Sequence, residues 1–220
     1  MKVMIIGKEM TSSPDKSRNL LAWATEIQAI AQIGLTYTTD LYDKERYEQL
    51  AKLSVEMMSA VVDEKKEDLQ ATFLNQAGYA TPKVDVRALI IQNDALLLVR
   101  EAQDGKWALP GGWADVNYSP SECIVKEVHE ETGLQTRVKR FLALWDTAKH
   151  DHPPHWPYIY KCIFYCEVIG GQFIRSHEIL DVAFFSLGAL PPLSECRITR
   201  SQIEKLMNLY DSNDFCTVYD

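Results

Sequence analysis

The stretch KEVHEETGL, residues 126–134, sets three carboxylates close together: Glu127, Glu130 and Glu131. On a helix, side chains three and four positions apart share a face, so these acids fall within an arc of about 100°. A run of Glu is ordinarily a solvated helix face, where like charges at this spacing cost only about a few tenths of a kcal/mol. The same cluster can also hold a hard divalent cation through oxygen ligands.

The preceding WALPGGW, residues 107–113, favours the cation. It is a glycine turn between the apolar run ALLLVRE and the acidic segment, and it brings backbone carbonyls beside the carboxylates. Hard oxygens at a strand-to-helix junction suit magnesium or manganese.

Something must hold the acids in place, and the flanking residues supply it. Ser119 and Glu122 form an S-x-x-E capping box, Pro120 takes the first helical position, and Gly133 is placed to end the helix. The spacing predicts a helix over 120–132, with Ile124, Val125 and Val128 on its apolar side.

The chain before this helix reads in two parts. From Ser17, apolar residues recur at helical steps until Gly34, which is expected to stop the run. A second helix is expected after an Asp43 N-cap, with Tyr47, Leu50, Ser54, Met57, Met58 and Val61 along one side. A third is expected over about 66–76, broken by Gly78, Thr81 and Pro82.

After Pro82 the period changes. VDVRALIIQ and ALLLVR read as strands joined by a turn at Asn93 and Asp94. RVKRFLALWD, YIYKCIFYCEVIG and DVAFFSL read as further strands, and SQIEKLMNLY as a closing helix. The expected layout is a loose segment over 1–15, a helical domain over 16–80 and an α+β domain over 81–220.

Composition narrows the function. With 220 residues, 46% of them hydrophobic, the chain can bury one or two cores. A formal charge of −8 argues against a broad basic surface for duplex nucleic acid or an anionic membrane. Five scattered cysteines without CXXC spacing point to reduced thiols, and no apolar run suits a signal peptide or a membrane span, so a cytoplasmic protein is expected.

The segment GGWADVNYSPSECIVKEVHEETGL resembles the Nudix box, GX5EX7REUXEEXGU with U apolar, from Gly112 to Leu134 without a gap. Tyr118 stands where Glu is usual, and Lys126 where Arg is usual. In the family that pair braces the loop against the helix, so Tyr118 with Lys126 is expected to brace it by a ring or hydroxyl contact. LLAWATEIQAIAQIGLTY, ERYEQLAKLSVEMM, KHDHPP and LPPLSECRITRSQI extend the resemblance to a bacterial Nudix subfamily, over about residues 19–210.

The resemblance implies an α/β/α sandwich with a mixed sheet behind the helical front domain. It implies a divalent-metal-dependent pyrophosphohydrolase that cleaves a nucleoside diphosphate linked to X, CDP-choline or ADP-ribose, into a nucleoside monophosphate and phospho-X. It implies that Glu127, Glu130, Glu131 and the Gly111 carbonyl hold Mg2+ or Mn2+, with a further acid from the loop before DVAFFSL, Glu178 ahead of Asp181. Which of Glu130, Glu131 and Glu178 takes the proton from water stays open.

Arg87, Lys149 and His152 are the residues that the resemblance sets against the substrate. A surface Arg on the first strand is nearly as good a reading of Arg87. The HXH spacing in KHDHPPH could be read as zinc ligation, but the two prolines and the absence of partner ligands favour a rim loop. Trp107 and Trp113 read as packing residues before base-stacking ones.

The front helices carry apolar stripes and no acid or glycine cluster, so they are expected to build a homodimer. The departures at Tyr118 and Lys126, with the extra helices, also leave a second expectation: a module that binds a nucleotide-linked ligand without turning it over.

Overall fold

The computed structural model describes residues 14–62, 68–69, 71, 76–174, 176–212 and 216–220. The chain divides into two compact units, one reaching to Thr81 and including Pro154–Trp156, the other made of Pro82–Pro153 with Pro157–Asp220.

The first unit is built on α1, Pro14–Tyr37, and α2, Leu41–Ser59, which pack on each other. Ala24, Val55, Met58 and Leu69 form its buried cluster, with Leu21, Met57 and Trp156 against them. Gly34 does not stop α1: the helix runs on to Tyr37, and a side chain at Gly34 would collide with the Tyr47 ring. The residue is small for packing rather than for termination.

The N-cap of α2 is Asp40, not Asp43, and its carboxylate accepts the Asp43 amide at 2.9 Å. The loose start expected over 1–15 lies outside the described residues, apart from Pro14 and Asp15, which open α1. Most of the third helix expected over 66–76 lies outside them too; Asp68, Leu69 and Ala71 are helical.

Among the described residues the second unit holds two four-stranded sheets. Its strands are β1 Lys83–Leu89, β2 Ile91–Gln92, β3 Ala95–Glu101, β4 Trp107–Ala108, β5 Leu134–Asp146, β6 Ile159–Gly171, β7 Ile179–Ser186 and β8 Val218–Tyr219. One sheet is mixed, ordered β1-β6-β5-β8, with β1 parallel to β6 and β5 antiparallel to it. The other is antiparallel, with β3 between β4, β2 and β7 partners. The helices are α3, Pro120–Thr132, and α4, Arg200–Asp211.

Asn93 and Asp94 both take positive φ, 51° and 60°, the primed turn that suits a tight hairpin. The run before it is not one strand, however: β1 and β2 separate at Ile90 and enter different sheets.

Alternation along the strands divides the core in two. Leu89, Leu96, Leu98, Leu142, Ile163 and the α4 residues Ile203 and Leu206 fill one cluster. Val86, Ala88, Leu97, Cys162 and Phe164 fill the other with Ile124 and Val128 of α3. Each such buried aliphatic contributes about 1.5–3 kcal/mol relative to exposure, so α3 is pinned to β1 from beneath. Among the described residues no helix is long and apolar enough to cross a membrane.

Candidate active site

Local chemistry sets α3. The Ser119 hydroxyl accepts the Glu122 amide, and the Glu122 carboxylate accepts the Ser119 amide at 2.8 Å. Gly133 ends the helix at φ 79°, donating to the His129 carbonyl. Once Cys123, Ile124 and Val128 are buried, the rotation of the helix is decided. The three glutamates then differ: Glu131 is 7% exposed, Glu127 is half-buried, and Glu130 is exposed.

The glycine turn lies along β1. The Val86 amide donates to the Gly112 carbonyl at 2.8 Å, Ala88 to Pro110 at 2.9 Å, and Ala114 donates to Val84 at 2.9 Å. Gly111 sits at φ 131°, and a Cβ there would overlap the Val86 carbonyl oxygen. At Gly112 a Cβ would lie 2.8 Å from a Glu127 oxygen. Gly111 is thus demanded by its close approach to the β1 backbone, whereas at Gly112 it is the flexible end of Glu127 that would have to move.

The Gly111 amide donates to Glu131 at 2.8 Å. Burial pushes the Glu131 carboxyl up to about 8, against the pull of the Arg87 charge and this hydrogen bond. Burial also raises Glu127, with Lys126 and Arg87 opposing and Glu130 adding to it. Two carboxylates that resist ionisation, one helical turn apart beside a main-chain turn, are a donor set suited to a hard divalent cation.

Arg87 is not a surface residue. It is 6% exposed, its Nε donates to Asp85 at 2.9 Å, and an Nη donates to the Leu109 carbonyl at 3.0 Å. Glu101 stands 3.8 Å from the same guanidinium. Behind them Lys161 pairs with Asp85 at 3.1 Å, and Arg197 with Glu101 at 3.0 Å. Burial alone would raise Asp85, but Arg87 and Lys161 outweigh it and hold its carboxyl below the ordinary value. Glu101 goes the other way: burial raises it despite Arg197 and Arg87.

The expected brace between Tyr118 and Lys126 is replaced by another. Lys126 pairs with Glu130 of its own helix at 2.7 Å and ties the helix to the loop through Asp115 at 3.2 Å, while the Tyr118 side chain is half-exposed. A lysine has the reach for an i,i+4 carboxylate, and the loop offers it Asp115.

Glu178 is exposed just before β7, its carbonyl accepting the Ala102 amide at 2.8 Å. Asp181 is exposed as well and accepts the Val182 amide. Among the described residues no group of three or more His, Cys, Asp or Glu side chains converges at metal-holding distance. The structure therefore brings together Glu127, Glu131, Gly111 and Arg87, with Glu130 held outward by Lys126.

Lys149 is exposed at the end of a short 3-10 turn, Thr147–Lys149. His152 is buried, its Nδ1 2.6 Å from the Glu195 carbonyl, and His150 meets Asp220 at 3.1 Å. The two histidines turn to different partners, which removes the HXH zinc reading. Trp107 packs edge-on against Phe185, while Trp113 is half-exposed.

Asp85, Glu101, Lys161 and Arg197 were not singled out in the sequence. A signal was present for two of them: Asp85 and Lys161 are charges set between apolar neighbours in strand runs, Asp85 between Val84 and Val86. A cavity of about 550 Å³ lies on the far side of α3, bordered by Val125, Lys126, His129 and Arg137. It faces away from Glu127 and Glu131, so the chemistry belongs to the turn and not to that hollow.

Comparison with known proteins places this geometry. Residues 81–206 match the NUDIX domain model, and residues 18–73 match a UDP-X-like, N-terminal oligomerisation domain. YjhB of Bacillus subtilis (strain 168), named provisionally as an ADP-ribose pyrophosphatase, is 42% identical over 197 residues, covering 90% of this chain and 95% of YjhB. A solved UDP-X diphosphatase is 39% identical at a TM-score of 0.60, covering 92% of this chain and 98% of that one. An ADP-ribose pyrophosphatase structure from Streptococcus suis 89-1591 is 40% identical at a TM-score of 0.59, covering 64% of this chain and all of the other. With the box on α3, the glycine turn against β1 and matches over both parts of the chain, the protein belongs to the Nudix family and is a pyrophosphohydrolase.

Proposed function

We propose that the protein hydrolyses the pyrophosphate bond of a nucleoside diphosphate linked to X, with ADP-ribose or a UDP-linked compound ahead of CDP-choline. The observation that carries this reading is the seating of Glu131 against the Gly111 amide, with Glu127 one turn away over Gly112. The substrate ranking rests on relatives named for ADP-ribose and UDP-X.

Glu127, Glu131 and the Gly111 carbonyl would hold Mg2+ or Mn2+, with Glu130 joining them by leaving Lys126. Such an ion neutralises phosphoryl oxygens and acidifies water. Glu130 and Glu178 are the exposed acids able to accept a proton from an attacking water, and Glu131 is the buried one. Arg87 and His152 support the loops from within, and Lys149, exposed, would meet a phosphate.

Domain 81–220 carries this chemistry, and the helices of 16–80 assemble a homodimer, in line with their match to an oligomerisation domain. The protein works in the cytoplasm, where cysteines are kept reduced.

The test is incubation with ADP-ribose, UDP-sugars, CDP-choline and nucleoside triphosphates, each with Mg2+ and with Mn2+, and identification of products. Release of a nucleoside monophosphate and phospho-X from ADP-ribose or a UDP-sugar supports the reading. No product from any of them with either metal sinks it.

A further inference from the structure

Lys161 is the most deeply buried cation among the described residues, 1% exposed, near the start of β6. It stands directly opposite Asp85 in the parallel register of β1 and β6. Its ammonium meets Asp85 Oδ2 at 3.1 Å and donates to the Arg197 carbonyl. A buried ammonium is costly, and an apolar side chain of similar size would often leave the fold as stable or more so. Stability alone does not account for it.

The contacts around it close into a circuit. Asp85 offers its second oxygen to Arg87 Nε, at 2.9 Å. The Arg87 guanidinium faces Glu101 at 3.8 Å and donates to the Leu109 carbonyl at 3.0 Å. Glu101 pairs with Arg197 at 3.0 Å, and Arg197 is held in turn by Gln103 at 2.6 Å and Ser194 at 3.1 Å. The Arg197 carbonyl returns to Lys161. Leu109 lies two residues before Gly111, whose amide holds Glu131.

We propose that Lys161 is a positioning residue for the hydrolytic reaction, acting through Asp85 and Arg87 on the 109–112 turn that seats Glu131. Lys161 touches neither the turn nor the glutamates. It fixes the Asp85 carboxylate, which aims the Arg87 fork, which clamps the Leu109 carbonyl. Without the ammonium, Asp85 faces Arg87 alone and the Arg197 carbonyl loses its donor. The clamp slackens on the side away from α3.

This inference rests on the reading of Glu131 and Gly111 as the working site, and the experiment separates the two. The full-length Lys161→Met variant is compared with wild type in two ways. In metal-free protein, amide exchange at Gly111 should rise by about tenfold or more, while Leu97 in β3, bonded to Ile90, changes far less. On the best substrate, kcat should fall about tenfold or more and the Mg2+ concentration for half-activity should rise, with KM for nucleotide near wild type.

Exchange that rises equally at Gly111 and Leu97, or wild-type kcat and Mg2+ dependence in the folded variant, overturns the proposal. Should Lys161→Met fail to fold, Arg197→Ala at the more accessible end of the circuit decides instead: local exchange at Gly111 supports the proposal, and wild-type exchange overturns it. If wild type hydrolyses no nucleotide, the functional reading falls, and the exchange measurement still judges the positioning.

Discussion

The Gly111 amide and the Glu131 carboxylate meet at 2.8 Å across 20 residues of sequence, joining the turn along β1 to the buried face of α3. Gly111 can take part because it has no side chain: at φ 131° a Cβ would overlap the Val86 carbonyl oxygen. Gly111→Ala is therefore expected to destabilise the protein by about 3 kcal/mol or more and to lower kcat by about 100-fold or more. Urea denaturation and steady-state kinetics check this; a variant with wild-type kcat would show the turn to be dispensable.

Metal-free stability should depend on pH through Glu131. In the folded state its carboxyl holds a proton up to about pH 8, whereas an unfolded carboxyl releases it near 4.5. Between those values the folded state binds more protons, so stability falls as pH rises, by roughly a few kcal/mol in all. Glu131→Gln, neutral throughout, should flatten that slope and be the more stable form at pH 8. Denaturation midpoints at pH 5.5 and 8 in chelator, for both forms, give the answer.

Magnesium or manganese should raise the melting temperature at pH 8, because a ligand bound only by the folded state stabilises by mass action. The ion also supplies the countercharge that burial denies Glu127 and Glu131. In Glu127→Gln/Glu131→Gln the shift should vanish. An equal shift in that double variant would place the bound cation elsewhere.

Lys126→Met should leave the melting temperature nearly unchanged, since both partners of Lys126 are half-exposed and water screens the pairs. It should still lower kcat, because the lysine ties α3 to the loop through Asp115 and restrains Glu130. Lys126→Arg, which keeps the charge and reach, should retain most activity. Identical kinetics for Met and Arg variants would remove the bracing role.

Ser119→Ala removes the hydroxyl that caps α3 and should cost about 1 kcal/mol. Because the helix is also pinned by Ile124 and Val128, the fold should survive and kcat should fall only modestly. Thermal denaturation and kcat measured together test whether the cap or the buried face governs the site.

Much of the site is written in short-range signals. The capping box, the Pro120 start and the Gly133 stop involve residues within a few positions of each other, so the helix and its three glutamates were legible before any fold was known. The Asn93–Asp94 turn and the strands β5 to β7 were legible for the same reason. Gly34 misled because a glycine near a helix end reads as a stop, whereas here it makes room for Tyr47, a partner on another helix. The fate of Glu130 was hidden too: a face containing three acids does not say which one a lysine will hold.

What sequence spacing left undecided was charge pairing across the sheets. Asp85, Glu101, Lys161 and Arg197 lie on four separate segments, and only the parallel register of β1 with β6, and the return of the chain near Arg197, gathers them around Arg87. Periodicity assigns a side chain to a face; it does not name the neighbour across that face. So the carboxylates of KEVHEETGL and their helix follow from local chemistry, while Arg87's turn inward, Glu131's burial and the circuit behind them follow from which strands pair, because a buried charge takes its partner from tertiary contact alone.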